Sequence, residues 1–534
     1  MAKQFFVLGI GGTGMRCIEA LIHLCAMGMF DNTDIHLLAL DTDKNNGNFS
    51  RLKEVKEAYV KTKGVEVSSR VALQDTFFSA NIKYYEFSPN YEQKSTFKDV
   101  FGYSDTQYNH SEETDLADLV LAKTVEEFNL RHGYRAQTHL GSMMMYHSII
   151  EAAKSPTNND LKSFLGELAK QAQTGNPRVF ILGSVFGGTG ASSIPIIPQA
   201  ISKAAEIMTN GAVNVLKSAY FGSTLLTAYF SFKAPSSNEL ANQKVIATSD
   251  KFALNSQVAM MFYEDDSTVK STYQKFYMMG TDSLNWNPMA KDNISETITG
   301  GEKQKNDSHY IELLAASSAL SFYNEDESVL AVNKQNVKTD YEYRAINNNG
   351  KFDFQDFVGQ QRAEEFAKKF GLLIAFSLFC NGTDDFVESV RSGGVKEIQE
   401  FLDINVNQVL ALKEYFNLFF VRVNANGTLS EGWLKQIHRS AGGGDNFLFN
   451  ASLFSPSDLK SLMKLSWNKN LYRTEGIGKD NHYSTGLFGS KFDSFKKQFL
   501  LTRDKDSSWK NITNNGEQLN KLIYDTLSSL YNFK

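Results

Sequence analysis

At 534 residues the chain is longer than one hydrophobic core usually supports, so two or more domains are expected. It is 42% apolar and 22% charged with a net charge of −5, an ordinary globular composition without the basic field that nucleic acid or an anionic membrane would require. Cys17, Cys25 and Cys380 are too few for a disulfide framework and lack metal-ligand spacing, which fits a reducing cytoplasm, and no run reaches the ~18 apolar residues of a membrane span.

In chain order, Gln4–Leu8 reads as a short buried strand. It breaks into Gly9-Ile10-Gly11-Gly12-Thr13-Gly14 and continues as a helix over Met15–Met29, with Ile18, Leu21, Ile22 and Cys25 at helical spacing. The start, MAKQFFVLGIGG, is therefore strand and turn rather than signal peptide. Asp34–Leu40 is the next strand and ends in Asp41-Thr42-Asp43; acids at that place face a ribose or the edge of a nucleotide site, or else form a solvated turn. From about 50 to 130 the βα alternation is lost, and an inserted, mostly helical subdomain is expected. Gly133–Gly141 is a further glycine-bounded turn before a helix (Ser142–Ala153), with Arg135 or His139 placed near an anion, or simply a surface turn.

Leu161–Gln173 reads as a helix. Arg178–Gly183 is a strand that breaks at Gly187-Gly188-Thr189-Gly190 and feeds the helix Ile194–Met208. A strand, a glycine turn and a helix start in succession make an anion site, because backbone N–H groups and the helix dipole point at the ligand. Val213–Tyr229 is β-rich, Glu239–Ser256 helical, Val258–Glu264 and Lys275–Gly280 strands, and Ser308–Tyr323 an apolar helix ending at Asn324. Beyond residue 325 the texture changes: Ser328–Phe354 alternates like strand, Phe357–Cys380 is a long helix, Gly442–Gly444 is a turn, and a last helix runs from about Glu517 to Tyr531. Two units follow, 1–325 and an α+β unit 326–534. The Met143–Met145 run and the scattered histidines read as structural, with no zinc spacing.

Gly9–Gly14, Asp41–Asp43, Gly133–Gly141 and Phe186-Gly187-Gly188-Thr189-Gly190-Ala191-Ser192, in this order, resemble the loops of the tubulin/FtsZ superfamily, most closely its divergent bacterial tubulin-like branch. The resemblance implies an α/β, Rossmann-like GTPase domain that binds GTP through Gly11, Gly12, Thr13, Gly14, Asp41, Asp43, Arg135, Gly187, Gly188, Thr189 and Gly190. It implies Mg²⁺ held through phosphates and water, with no protein-ligated metal. Guanine contacts are implied for an asparagine among Asn238, Asn242, Asn255 and Asn306, with Asn242 the first choice and Asn238 beside it. Asn324-Glu325-Asp326 resembles the family's N-x-D loop, which completes a neighbouring subunit's site, so Asn324, Asp326 and Glu327 are the implied catalytic residues and self-assembly into filaments or oligomers the implied partnership, with a protein partner besides. Phe186 and Ser192 depart from the glycines of the signature, and the position where the catalytic acid falls is Val329.

Two other readings stand beside this one. A GTP-binding scaffold or switch with little hydrolysis follows from the missing acid. A Rossmann enzyme using NAD or an adenylate follows from the first glycine loop alone; a second phosphate turn and two cysteines set inside a helix count against it. GxxxxGK[ST] is absent, which argues against a P-loop ATPase.

Overall fold

In the computed structural model seven parallel strands form one sheet: β1 (Lys3–Ile10), β2 (Thr33–Leu40), β3 (Asn81–Phe87), β4 (Arg178–Leu182), β5 (Tyr220–Leu226), β6 (Lys275–Met279) and β7 (Asp340–Arg344). The structure describes residues 3–65, 73–102, 112–134, 136–231, 234–238, 248–281, 287–288, 301–345, 354–381, 400, 403, 405–420, 432–440, 491–505 and 508–530. Strand order is β3-β2-β1-β4-β5-β6-β7, so the sheet grows outward in both directions from β1 and has its switch point between β1 and β4. That is the order of a doubly wound, Rossmann-like sheet, whose ligands lie beyond the carboxyl ends of the strands. Register keeps those ends level: Ile10 pairs with Leu40, and Gly9 with Leu182.

The helices used below are α1 (Gly11–Ala26), α2 (Gly47–Lys63), α3 (Thr138–Lys154), α4 (Asp160–Thr174), α5 (Gly188–Ser193), α6 (Ile197–Met208), α7 (Phe252–Asp265), α8 (Tyr310–Tyr323), α9 (Glu327–Gln335), α10 (Ala363–Asn381), α11 (Val406–Tyr415) and α12 (Asn515–Leu530). Alternate strand residues feed two separate cores, as a period of two requires. Phe5, Val7, Ile35, Leu37 and Phe180 pack with α1, α2 and α8 on one face, and Phe6, Leu8, Leu38, Val179 and Ile181 with α3, α4 and α6 on the other. In α1 every residue but Gly12 is buried, and in α8 all but Ser321 and Tyr323, so both are central rather than amphipathic surface helices.

Several expectations change. The stretch 50–130 is not wholly an insertion: α2 packs on α1, and Tyr84–Phe87 belongs to β3, paired parallel with β2. Val258–Glu264 is helical, inside α7, whose Leu254, Val258, Met261 and Phe262 are more than half exposed; an apolar stripe on the outer side of a helix reads locally like a buried strand. Ser328–Gln335 is α9, nucleated by the Asp326 carboxylate accepting from Ser328 N at 2.9 Å.

Residue 325 is not a boundary of the sheet, because β7 pairs in parallel with β6 beyond it. Described segments after β7 are helical and share the α1/α8 core: Phe366, Phe370, Tyr415, Leu519 and Leu522 belong to it. Tyr415 OH meets His23 Nδ1 at 2.5 Å, and Lys63 Nζ lies 3.7 Å from Glu517 Oε1. Among the described residues no helix is long and apolar enough to cross a membrane.

Candidate functional site

The turns after β1, β2 and β4 leave the same edge of the sheet and meet in one cleft. Its walls include Gly11, Gly12, Thr13, Asp41, Asp43, Gly133 and Gly187–Gly190. Gly11 takes a left-handed φ of +67°, which L side chains rarely adopt, and a methyl there would stand 3.5 Å from Thr189 Cβ. Gly133 approaches from the other face of the sheet: a methyl there would stand 3.5 Å from Thr42 Oγ1 and 3.9 Å from Thr189 Oγ1. Four segments far apart in sequence thus converge around Thr189. Gly190 admits no side chain, since a Cβ would lie 2.4 Å from Ser184 O.

Two helix starts and an acidic turn open onto the cleft. α1 opens at Ile10 without a side-chain cap and has no acid in its first turn, so its first N–H groups are free to turn to a ligand. α5 opens at Gly187, likewise uncapped. Against these donors stand Asp41, Thr42 and Asp43, all buried. Asp43 is occupied by backbone donors, Asn45 N to Oδ1 at 3.0 Å and Gly301 N to Oδ2 at 2.6 Å. Asp41 accepts from Asp43 N at 3.3 Å and Asn46 Nδ2 at 3.2 Å. Burial, with Asp43 beside it, pushes the Asp41 carboxyl up to about 7.

Phe186 and Ser192, the departures from an all-glycine signature, have structural work. The Phe186 ring packs 4.8 Å from Phe252 and 5.3 Å from Phe230, giving the cleft an aromatic wall. Ser192 Oγ donates to Thr189 O at 3.0 Å, and Ser192 O accepts from Ser142 Oγ at 2.7 Å, tying the loop to α3.

The cleft therefore gathers Gly11, Gly12, Thr13, Asp41, Asp43, Gly187, Gly188, Thr189 and Gly190 from the sequence expectation, with Gly14 just behind in α1, where a methyl would meet Leu182 O at 2.7 Å. Arg135 and Asn242 lie outside the described residues; Gly133, Tyr134 and Ala136 do line the cleft. Asn238 is exposed and His139 lies on α3, and neither is among the lining residues. Asn255 Nδ2 donates to Phe186 O at 3.3 Å, and Asn306 Oδ1 accepts from Asn48 Nδ2 at 3.1 Å.

Asn324, Asp326 and Glu327 are not at the cleft of their own chain. They follow the carboxyl end of α8, where Arg178, the first residue of β4, donates to Phe322 O and Glu325 O at 2.8 and 2.7 Å. That is the amino edge of the sheet, about 20 Å away along α8. Asp326 caps α9, Glu327 accepts from Asn176 Nδ2 at 3.0 Å, and Asn324 Nδ2 donates to Leu320 O at 2.7 Å.

Arg16, Asn46, Phe230, Phe252 and Gln304 also line the cleft and were not anticipated. Arg16 carried a readable sign: with Glu19 and His23 it makes a polar stripe at i, i+3, i+7 along an otherwise apolar helix.

No family model matches the chain, and no curated protein sequence does. Among solved structures, a TubZ of Clostridium botulinum phage c-st, truncated at its C-terminal tail, is similar at 10% sequence identity and a TM-score of 0.23. The match covers 61% of this chain and 64% of that one, so the chain spans less than two thirds of that structure. The likeness is weak.

Proposed function

We propose that this chain is a tubulin/FtsZ-like nucleotide-binding protein that takes GTP in the cleft and hydrolyses it on assembly. The observation that carries the reading is the meeting of the Gly11, Thr42, Gly133 and Thr189 turns at the carboxyl edge of a parallel sheet, with no Walker lysine in the chain. Such a site holds a polyphosphate by aligned backbone donors and little side-chain bulk. Gly11–Gly14 and Gly187–Gly190 would hold the phosphates, and Asp41 and Asp43 would face the ribose or the Mg²⁺ carried on phosphate and water. Among the described residues no group of three or more His, Cys, Asp or Glu is placed to hold a metal by itself.

In this reading Asn324, Asp326 and Glu327 act on the next subunit's nucleotide. Their place at the edge opposite the cleft suits a head-to-tail contact, the kind that propagates into a filament. Hydrolysis by positioning and charge stabilisation then needs assembly. The test is nucleotide turnover by the purified chain across a range of protein concentrations, with the co-purifying nucleotide identified. GTP turnover per chain should rise steeply with concentration; tight GTP binding with flat, negligible turnover would leave only a binding protein.

That second reading, a GTP-bound scaffold, is favoured by a specific observation: Asp326 is engaged as the cap of α9, and Val329 stands where an acid is expected. An adenylating enzyme would need a reactive thiol. Cys17 and Cys25 are buried in α1, where burial pushes both thiols up from their ordinary value.

A further inference from the structure

The junction between α8 and α9 is short, faces solvent and is held from the starts of two strands. Asn324 and Asp326 are exposed, whereas the Glu325 side chain between them is only 22% exposed and turns inward. Its carboxylate accepts from Nζ of Lys275, the first residue of β6, at 2.5 Å. Arg178, the first residue of β4, holds the backbone of the same junction. Its Nη1 donates to Phe322 O at 2.8 Å and Tyr323 O at 2.6 Å, and its Nη2 to Glu325 O at 2.7 Å.

Lys275 is itself fixed. Its Nζ lies 3.1 Å from Glu342 Oε2 on β7, and Arg344 donates to Glu342 Oε1 from Nε at 2.9 Å and Nη2 at 2.8 Å. Lys275 and Arg344 both lie over the Tyr277 ring, at 5.2 and 4.9 Å. Beyond the junction, Asn333 of α9 donates to Gln274 O at 3.2 Å and Asp340 Oδ2 at 2.6 Å.

Capping α8 does not account for these bonds. Of its last four carbonyls, Leu320 and Ser321 accept from Asn324 N at 3.1 Å and Phe322 from Glu325 N at 3.2 Å, which leaves Tyr323 O for a side chain to cap. Arg178 reaches past it to Glu325 O, and Lys275 takes the Glu325 carboxylate, which no cap requires. Ordering an exposed junction costs conformational entropy, and what these bonds preserve is its direction, Glu325 inward and Asp326 outward.

We propose that Arg178 and the Lys275–Glu325 pair are positioning residues for the next subunit's nucleotide, fixing the junction so that Asp326 meets the attacking water at one set place. In that step the water oxygen bonds to the γ-phosphorus as the bond to GDP breaks, and its proton passes to the released phosphate. A carboxylate that orients the water acts only within hydrogen-bond reach. This rests on the assembly reading above and adds to it three residues that do not line the cleft of their own chain.

The experiment measures GTP turnover by the full chain against protein concentration, with GTP affinity from calorimetric titration and folding from the melting transition. Glu325→Ala is the first variant, because Lys275 keeps Glu342 and no charge is stranded. Arg178→Lys is the second, since one ammonium cannot span carbonyls on both sides of Asn324 as the guanidinium fork does. In each folded variant the plateau turnover should fall roughly tenfold to a hundredfold, while GTP affinity and the protein concentration at half-plateau stay as in the unaltered chain. A structural role alone would lower the melting temperature and leave the plateau. An unchanged plateau in either folded variant overturns the assignment. So does a parallel loss of GTP affinity, which would tie the junction to the chain's own cleft. A shifted half-plateau concentration with a full plateau overturns it too, because it would make these residues contacts. In those three outcomes the unaltered chain still turns over GTP more steeply as concentration rises, and the assembly reading stands; flat turnover in the unaltered chain removes both.

Discussion

Arg16 and Glu312 join α1 to α8 by a buried ion pair of 2.6 Å between residues 296 positions apart in sequence. Burial alone would pull the Arg16 charge down, but Tyr229 and Glu312 outweigh it and its pKa is raised, so the guanidinium stays charged. The pair sits at the cleft end of α8, whose other end leads into Asn324–Glu327. One rigid helix therefore connects the floor of the cleft to the loop at the opposite edge.

Breaking that pair from one side should be costlier than removing it. Arg16→Met or Glu312→Leu leaves a buried charge uncompensated and is expected to lower stability by about 3–5 kcal/mol, whereas the double replacement should cost less than either single change. Urea denaturation of the three variants gives the coupling directly; additive losses would mean that the two side chains do not stabilise each other.

Asp41 sets a pH dependence. Its carboxyl, ordinarily near 3.8, is pushed up to about 7 in the fold, so the folded chain holds this proton more tightly than the unfolded one. The associated stability is present in full below about pH 4 and is lost as pH rises through about 7, a change on the order of a few kcal/mol. Asp41→Asn should flatten the stability profile of the ligand-free protein between those limits and raise its melting temperature at pH 8. A variant whose profile still falls over that window would assign the proton elsewhere.

In the turn Gly187–Gly190, Gly190 has no room for a side chain, whereas a methyl on Gly187 would meet only Ser184 Oγ, at 3.6 Å. Gly190→Ala presses a methyl onto Ser184 O and is expected to destabilise the fold by about 1–3 kcal/mol. Gly188→Asp instead points a carboxylate at the phosphates and should abolish nucleotide binding. Calorimetry on both separates the effects: a folded Gly188→Asp protein that still binds GTP would remove this loop from the site.

Asp326 serves α9 as a cap in the isolated chain and, in the assembly reading, the next subunit's nucleotide as an acid. Asparagine is as good a cap as aspartate, so Asp326→Asn should leave the melting transition where it is while removing concentration-dependent GTP turnover. Full turnover in that variant would leave Asp326 a cap and nothing else.

Local chemistry made the strand–glycine–helix units at Gly9–Gly14 and Phe186–Gly190, the acidic turn Asp41–Asp43 and the apolar helix before Asn324 legible in the sequence, because glycine punctuation and apolar periodicity act over a few residues. The same local signals misplaced Val258–Glu264, since Val258, Met261 and Phe262 face outward on α7. Strand β3 hid among aromatics and charges, and β7 fell beyond a boundary drawn from composition. No local signal brings Gly133, Thr42, Gly11 and Thr189 together; the resemblance of their loops implied one site, and the fold sets Gly11 and Gly133 beside Thr189 and Gly133 beside Thr42. Only the fold sets Asp326 at the far edge of the sheet. Those relations join residues tens to hundreds of positions apart, and it is sheet order and register, not any local preference, that brings them to contact.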